Sequence, residues 1–70
     1  MIELAVRNKV KIARIEHGRY NQGDLAKLIG VTRQTINLIE AQKYNPTIRV
    51  CLLISKYLET PVDVLFWIEE

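Results

Sequence analysis

The sequence predicts an all-α domain of five short helices, whose two ends are candidates for a small antiparallel sheet. Three observations support this prediction: apolar residues recur at helical spacing, Asn or Thr precedes each such segment, and Gly or Pro follows most of them. Seventy residues with 49% hydrophobic and 26% charged side chains are typical of one globular domain, residues 1–70.

The two ends of the chain have the composition of strands. Residues 1–7, MIELAVR, alternate apolar and polar side chains, which is the period of a half-buried strand. Residues 66–70 are also rich in β-formers. The two segments could pair as an antiparallel ribbon. The alternative is a frayed N-terminus and a last helix that continues through Trp67.

The first two helices have clear start and stop signals. The first is predicted over residues 8–17, with Asn8 as its cap and Gly18 as its stop. The second begins at Asn21, with Asp24 completing a capping box, and ends at Gly30, where a left-handed residue is favoured. Its predicted apolar positions are Leu25, Leu28 and Ile29, and Ala26 is small enough to let another helix approach closely.

The third helix, capped by Thr32, has one apolar and one polar face. About 100° per residue places Ile36, Ile39 and Glu40 on one arc. The opposite arc holds Gln34, Asn37, Leu38 and Ala41. We expect the first arc to face the core and the second to be free for recognition.

Two further helices complete the prediction. Thr47 caps the fourth, whose buried stripe is predicted to be Ile48, Cys51, Leu52, Ile54, Ser55 and Leu58. Thr60 to Asp63 read as a capping box with Pro61 at the first helical position. This box would start a short fifth helix through Phe66 that turns Val62 and Leu65 toward the core.

Composition excludes several classes of protein. No apolar run approaches the ~18 residues of a membrane helix, and the N-terminus lacks a signal-peptide pattern. A single cysteine, Cys51, cannot form an intramolecular disulfide, so a reduced cytoplasmic location is expected. One His and one Cys, far apart in sequence, provide no catalytic or metal-binding cluster. We therefore expect that the protein is not an enzyme and that it binds no metal, cofactor or small-molecule ligand.

Residues 21–45, NQGDLAKLIGVTRQTINLIEAQKYN, form the functional motif. Two helices joined by a short turn with Gly describe a helix-turn-helix, in which the second helix enters the major groove of DNA. Arg33 and Gln34 lie at its N-terminus, where Arg can bind guanine and Gln can bind adenine. The net charge of +2 is too small to indicate nucleic-acid binding by itself.

The chain resembles Cro/C1-type (XRE-family) helix-turn-helix regulators, which have a five-helix, lambda-repressor-like fold. The matching residues are QGDLAKLIGVTRQTINLIEAQKYNPT at 22–47, and the likeness continues to LFWIEE. It is similar in particular to the short stand-alone dimeric type, such as the small cytolysin repressor, through VTRQTINLIE, KYNPT and TPVDVLF.

This resemblance implies roles for particular residues. It places Val10 and Ala13 in the core and pairs Arg14 with Glu40 as a structural ion pair. One residue more than usual precedes the second helix, so Tyr20 is expected in the core and Arg19 in solvent. Lys43 is expected to contact a backbone phosphate of DNA. The alternative is that it is an ordinary solvated lysine. The expected DNA-binding residues are Gln22, Thr32, Arg33, Gln34, Thr35, Asn37, Leu38, Lys43, Tyr44 and Asn45.

The functional prediction is a homodimer that represses transcription at an inverted-repeat operator in double-stranded DNA. A small monomer has too little protein to cover the apolar residues of its C-terminal third. The expected dimer interface comprises Leu53, Tyr57, Val64, Phe66, Trp67 and Ile68. The alternative is an antitoxin or another protein-binding module with the same fold. Leu38 leaves it open, because it could meet a thymine methyl group or a partner's apolar surface.

Overall fold

The computed structural model describes residues 5–69 and contains five helices and one two-stranded sheet. The strands are β1 (Ala5–Asn8) and β2 (Phe66–Glu69). The helices are α1 (Val10–His17), α2 (Gln22–Ile29), α3 (Arg33–Glu40), α4 (Ile48–Leu58) and α5 (Val62–Leu65). The predicted five-helix fold with a terminal sheet is confirmed.

The sheet joins the two ends of the described chain. The strands are antiparallel, with Val6 opposite Ile68 and Asn8 opposite Phe66. Side chains alternate along a strand, so these four share one face. Asn8 is buried and Phe66 packs on the core, while Val6 and Ile68 remain exposed beyond it. The predicted strand pairing is thus observed over Ala5–Asn8, and residues 1–4 and 70 lie outside the described residues.

Three predicted caps are present with side-chain hydrogen bonds. Asn21 accepts from the Asp24 amide in a complete capping box, and Thr32 and Thr47 cap α3 and α4. The first helix starts later than predicted, at Val10. Asn8 instead ends β1, although its Oδ1 still accepts from the Val10 amide across 3.1 Å. Gly18 and Gly30 end α1 and α2 in the left-handed conformation.

All five helices contribute to one core. The inward arc of α3 is as predicted, since Ile36 and Ile39 are fully buried and Glu40 nearly so. Tyr20 packs on the core and Arg19 is exposed, also as predicted. The buried apolar residues are Val10, Ala13, Leu25, Ala26, Ile29, Ile36, Ile39, Val50, Ile54, Leu58 and Leu65.

The predicted buried stripe on α4 was right for Ile54 and Leu58 and wrong for Ile48 and Leu52. Val50, Ile54 and Leu58, at i and i+4 spacing, are buried, whereas Ile48 is 72% and Leu52 is 54% exposed. Cys51 and Ser55 are half-buried. Because apolar residues occur all around α4, periodicity alone could not select the buried side. Leu28 on α2 was also predicted to be apolar core surface and is 42% exposed.

The predicted capping box at the fifth helix was also wrong. Pro61 is the N-cap residue, and no side chain caps α5. The Thr60 hydroxyl donates to the carbonyl of Leu58, the last residue of α4, across 2.9 Å. The helix ends at Leu65, because Phe66 is extended and begins β2. Within residues 5–69, no helix is long and apolar enough to span a membrane.

Candidate nucleic-acid interface

Helix α3 is fixed so that its polar face points away from the core. Ile36 and Ile39 anchor its inner side, and both are completely buried. The Thr32 hydroxyl accepts from the Thr35 amide across 3.1 Å and also lies 3.0 Å from the Thr35 hydroxyl. Thr32 and Thr35 were predicted to contact DNA, and in the structure their side chains order the start of α3.

The outer face of α3 presents a row of polar side chains. Arg33, Gln34 and Asn37 are exposed, while Leu38 is half-buried. A recess of about 300 Å³ is lined by Gln22, Arg33, Gln34 and Asn37. The structure therefore groups four of the predicted site residues around one open, polar surface. Their amide and guanidinium groups can make paired hydrogen bonds to base edges.

A second recess extends this surface toward the start of α2. It has a volume of about 450 Å³ and is lined by Arg14, Asn21, Gln22, Gly23 and Arg33. Gln22 and Arg33 line both recesses. The N-terminus of α2, with its free amides, thus lies beside the polar face of α3, an arrangement that favours an anion such as a phosphate.

Glu40 holds three helices together behind this surface. Its Oε2 accepts from Arg14 Nε across 2.8 Å, and its Oε1 accepts from Arg14 Nη2 across 3.2 Å. Gln22 Nε2 donates to the same Oε1 across 3.0 Å. The Glu40 side chain is 2% exposed and that of Arg14 13% exposed. A buried carboxylate needs such partners, because an unpaired one would cost several kcal/mol.

The bond from Gln22 to Glu40 was not predicted from the sequence. Gln22 was expected to contact phosphate, and in the structure its Nε2 donates one hydrogen bond to Glu40. An amide nitrogen carries two hydrogens, so the second remains available to a phosphate oxygen. No sequence signal identified this contact, since Gln22 and Glu40 are 18 residues apart.

The segment after α3 is exposed and follows a regular helix-ending motif. The Gln42 amide donates to the Ile39 carbonyl, and the Lys43 amide donates to the Leu38 carbonyl across 2.9 Å. These are the two bonds of a Schellman motif, with Gln42 at its left-handed position. Lys43, Tyr44 and Asn45 follow it with exposed side chains, beside the end of α3.

The described residues contain no group of His, Cys, Asp and Glu that could hold a metal ion. Burial raises the pKa of the Cys51 thiol. The thiol is therefore protonated near neutral pH, and its Sγ lies 3.9 Å from the Pro46 carbonyl. Cys51 has the properties of a small packing residue rather than of a nucleophile.

Comparison with known proteins identifies the family. The sequence model of the helix-turn-helix family matches residues 10–65. The chain belongs to the Cro/C1-type helix-turn-helix family. It is 40% identical to the uncharacterized HTH-type transcriptional regulator YgzD of Bacillus subtilis, over 93% of this chain and 97% of the relative. It is 38% identical to an uncharacterized HTH-type transcriptional regulator of Methanocaldococcus jannaschii, with the same coverage of both chains.

A solved structure has the same fold. It belongs to a protein of Bacteroides fragilis that is provisionally described as DNA-binding, and the TM-score is 0.81. The match covers 89% of this chain and 98% of that one at 21% identity. Members of the Cro/C1-type family are non-enzymatic transcriptional regulators, so the family assignment agrees with the prediction that this chain is not an enzyme.

The residues predicted for a dimer interface fall into two groups. Val64, Trp67 and Ile68 are 43%, 44% and 56% exposed. Leu53, Tyr57 and Phe66 are half-buried and pack against the core. The monomer thus covers Leu53 and Tyr57 in part and leaves some of their surface exposed. The reason is that the buried side of α4 is rotated toward them and away from Ile48 and Leu52.

Proposed function

We propose that this protein is a sequence-specific DNA-binding transcriptional regulator that represses transcription by occupying an operator. The observation that carries the proposal is the outer face of α3, which presents Arg33, Gln34 and Asn37 to solvent while Ile36 and Ile39 anchor its back. In this proposal α3 is the recognition helix and lies in the major groove, where these side chains read bases.

Phosphate contacts would flank the recognition helix on two sides. Gln22 stands at the N-terminus of α2 with one amide hydrogen still available, and the helix dipole there favours an anion. Lys43 and the segment of Tyr44 and Asn45 are exposed just after α3. Contacts of this kind fix the register of a protein on the duplex, while base contacts provide specificity.

We propose that the regulator acts as a homodimer on an inverted repeat. Val64 and Ile68 are exposed near the C-terminus of the described chain, and Val6 pairs with Ile68 across the sheet. Trp67 lies on the other face of the sheet and is also exposed. Leu53, Tyr57 and Phe66, which keep part of their surface exposed, would form the rim. A two-fold axis here would relate two recognition helices, and so two half-sites.

The alternative, a protein-binding role for the α3 face, has less support. Such a role would favour an apolar reading face, and Leu38 is the one large apolar side chain among the predicted contacts on that helix. It is half-buried, whereas its neighbours Gln34 and Asn37 are exposed and hydrogen-bonding. We also propose that the protein acts in the cytoplasm, where a DNA target would lie.

Fluorescence anisotropy with two duplexes of equal length and composition tests the proposed function. One duplex carries a sequence enriched by the protein from a random pool, and the other is its scrambled version. The expected ratio of affinities at physiological salt is about 10³ or more. Equal affinities for the two duplexes would contradict a sequence-specific regulator, and no binding to either would favour the protein-binding alternative.

A further inference from the structure

Gln42 adopts a backbone conformation that is unusual for its residue type. Its φ is +65°, in the left-handed region, at the Schellman position that most often carries Gly. A side chain at such a position costs free energy, so it persists only when other contacts hold it. In Gln42, hydrogen bonds of the side chain stabilise this backbone conformation.

The side-chain amide of Gln42 binds the main chain of Asn8 in both directions. The Asn8 amide donates to Gln42 Oε1 across 3.0 Å, and Gln42 Nε2 donates to the Asn8 carbonyl across 2.8 Å. A carboxamide has the same donor and acceptor as a peptide group. Gln42 therefore occupies the open edge of β1 as one peptide group of a neighbouring strand would.

Asn8 is also tied to α3 by its own side chain. Asn8 Nδ2 donates to the Ile39 carbonyl across 2.9 Å, and Asn8 is only 9% exposed. Three hydrogen bonds thus join the end of α3 to the last residue of β1. Through Val6, opposite Ile68, the same sheet carries part of the proposed dimer surface.

We infer that Gln42 is a positioning residue that fixes the recognition helix against the terminal sheet and thereby sets the spacing of half-sites that the dimer accepts. This inference rests on the proposed function. Without the Gln42 contacts, the recognition helix of each subunit would still read its half-site. The orientation of the two recognition helices relative to the dimer surface would be less restricted. The affinities for inverted repeats with neighbouring half-site spacings would therefore differ less.

Two variants separate the side-chain bonds from the backbone conformation. Gln42→Glu keeps the size and the acceptor but removes the donor that binds the Asn8 carbonyl. Gln42→Gly removes both bonds and relaxes the left-handed conformation. The added charge of Glu would weaken binding to every duplex by a similar factor, so the readout is a ratio of affinities.

The experiment measures binding to an isolated half-site and to inverted repeats whose half-sites are separated by successive spacings. Wild-type protein should prefer one spacing. In both variants the preference for that spacing over the next should fall by about fivefold or more, while the base preference within the half-site is unchanged. Amide hydrogen exchange without DNA should be faster at Asn8 in Gln42→Gly, which removes the acceptor of the Asn8 amide, and less affected in Gln42→Glu, which keeps an acceptor there.

The contradicting results are distinct. An unchanged spacing preference in both variants would overturn the role of Gln42, whatever the exchange rate of the Asn8 amide, and leave the proposed function intact. Loss of half-site reading together with spacing preference would show that Gln42 merely supports the fold, which also overturns the inference. Failure of the wild-type protein to bind any duplex would instead refute the proposed function, and the inference with it.

Discussion

Gln22 at the start of α2 donates a hydrogen bond to Glu40 at the end of α3 across 3.0 Å. The residue proposed to bind a phosphate is thus oriented by the recognition helix itself. Arg14 on α1 binds the same carboxylate, so three helices meet at one buried acidic group. The surfaces proposed to bind phosphate and to read bases are therefore fixed relative to each other.

Lys43→Ala should change the salt dependence of DNA binding. Each phosphate neutralised by a lysine contributes about 0.9 to the slope of log affinity against log salt, so the slope should decrease by about one unit. Gln22→Ala is the matched control, because an uncharged side chain should lower affinity without changing the slope. Titrations at several salt concentrations measure both. An unchanged slope for Lys43→Ala would mean that Lys43 is an ordinary solvated lysine.

Gln34→Ala should weaken binding to the preferred sequence more than binding to random duplex. Gln34 is exposed on the outer face of α3 and lines the polar recess, so it can make paired hydrogen bonds to a base. We expect a loss of about 1–3 kcal/mol on the preferred sequence and little change on random duplex. Competition binding with the two duplexes measures this difference. Equal losses on both would exclude base reading by Gln34.

Arg14→Ala and Glu40→Ala should show strong coupling in the free energy of unfolding. Each single change leaves a buried charged group without its partner, which typically costs about 3–5 kcal/mol. The double variant should lose less than the sum, because neither charge is then stranded. Urea unfolding of the four proteins completes the cycle. Strictly additive losses would show that the ion pair contributes no coupling.

The sequence predicted the fold best where a side chain hydrogen-bonds to the backbone of a residue close to it in the chain. Asn21, Thr32 and Thr47 cap helices that begin where expected, because a cap and its amide are three residues apart. The inner arc of α3 was predictable for a similar reason, since its apolar residues occupy one side only. The family resemblance supplied Arg14 and Glu40 as partners before the structure placed them together.

Other features depended on contacts that sequence patterns do not encode. Helix α4 is apolar on most sides, so only its packing determines that Val50 is buried and Leu52 is exposed. The Thr60 hydroxyl binds the carbonyl of Leu58 rather than capping α5. The contact between Gln42 and Asn8 joins residues 34 apart in the chain, and no local pattern predicts it.

Ile68→Asp should separate the proposed dimer. Ile68 is 56% exposed on the sheet, and a carboxylate there would be buried without a partner in an apolar interface. Ile12→Asp is a matched control, because Ile12 is also 56% exposed but lies on α1. Sedimentation equilibrium without DNA should give a dimer for the wild type and Ile12→Asp, and a monomer for Ile68→Asp. An 8.1 kDa species for the wild type at micromolar concentration would contradict a preformed dimer.

Selection of bound sequences from a random duplex pool tests the central claim most directly. A homodimer that reads DNA through α3 should enrich an inverted repeat whose half-site centres lie ~34 Å apart, on one face of the duplex. Selection with Gln34→Ala should lose the preference at the same base in each half-site and keep the others. A pool without enriched sequences, or one that enriches a single asymmetric site, would contradict the account.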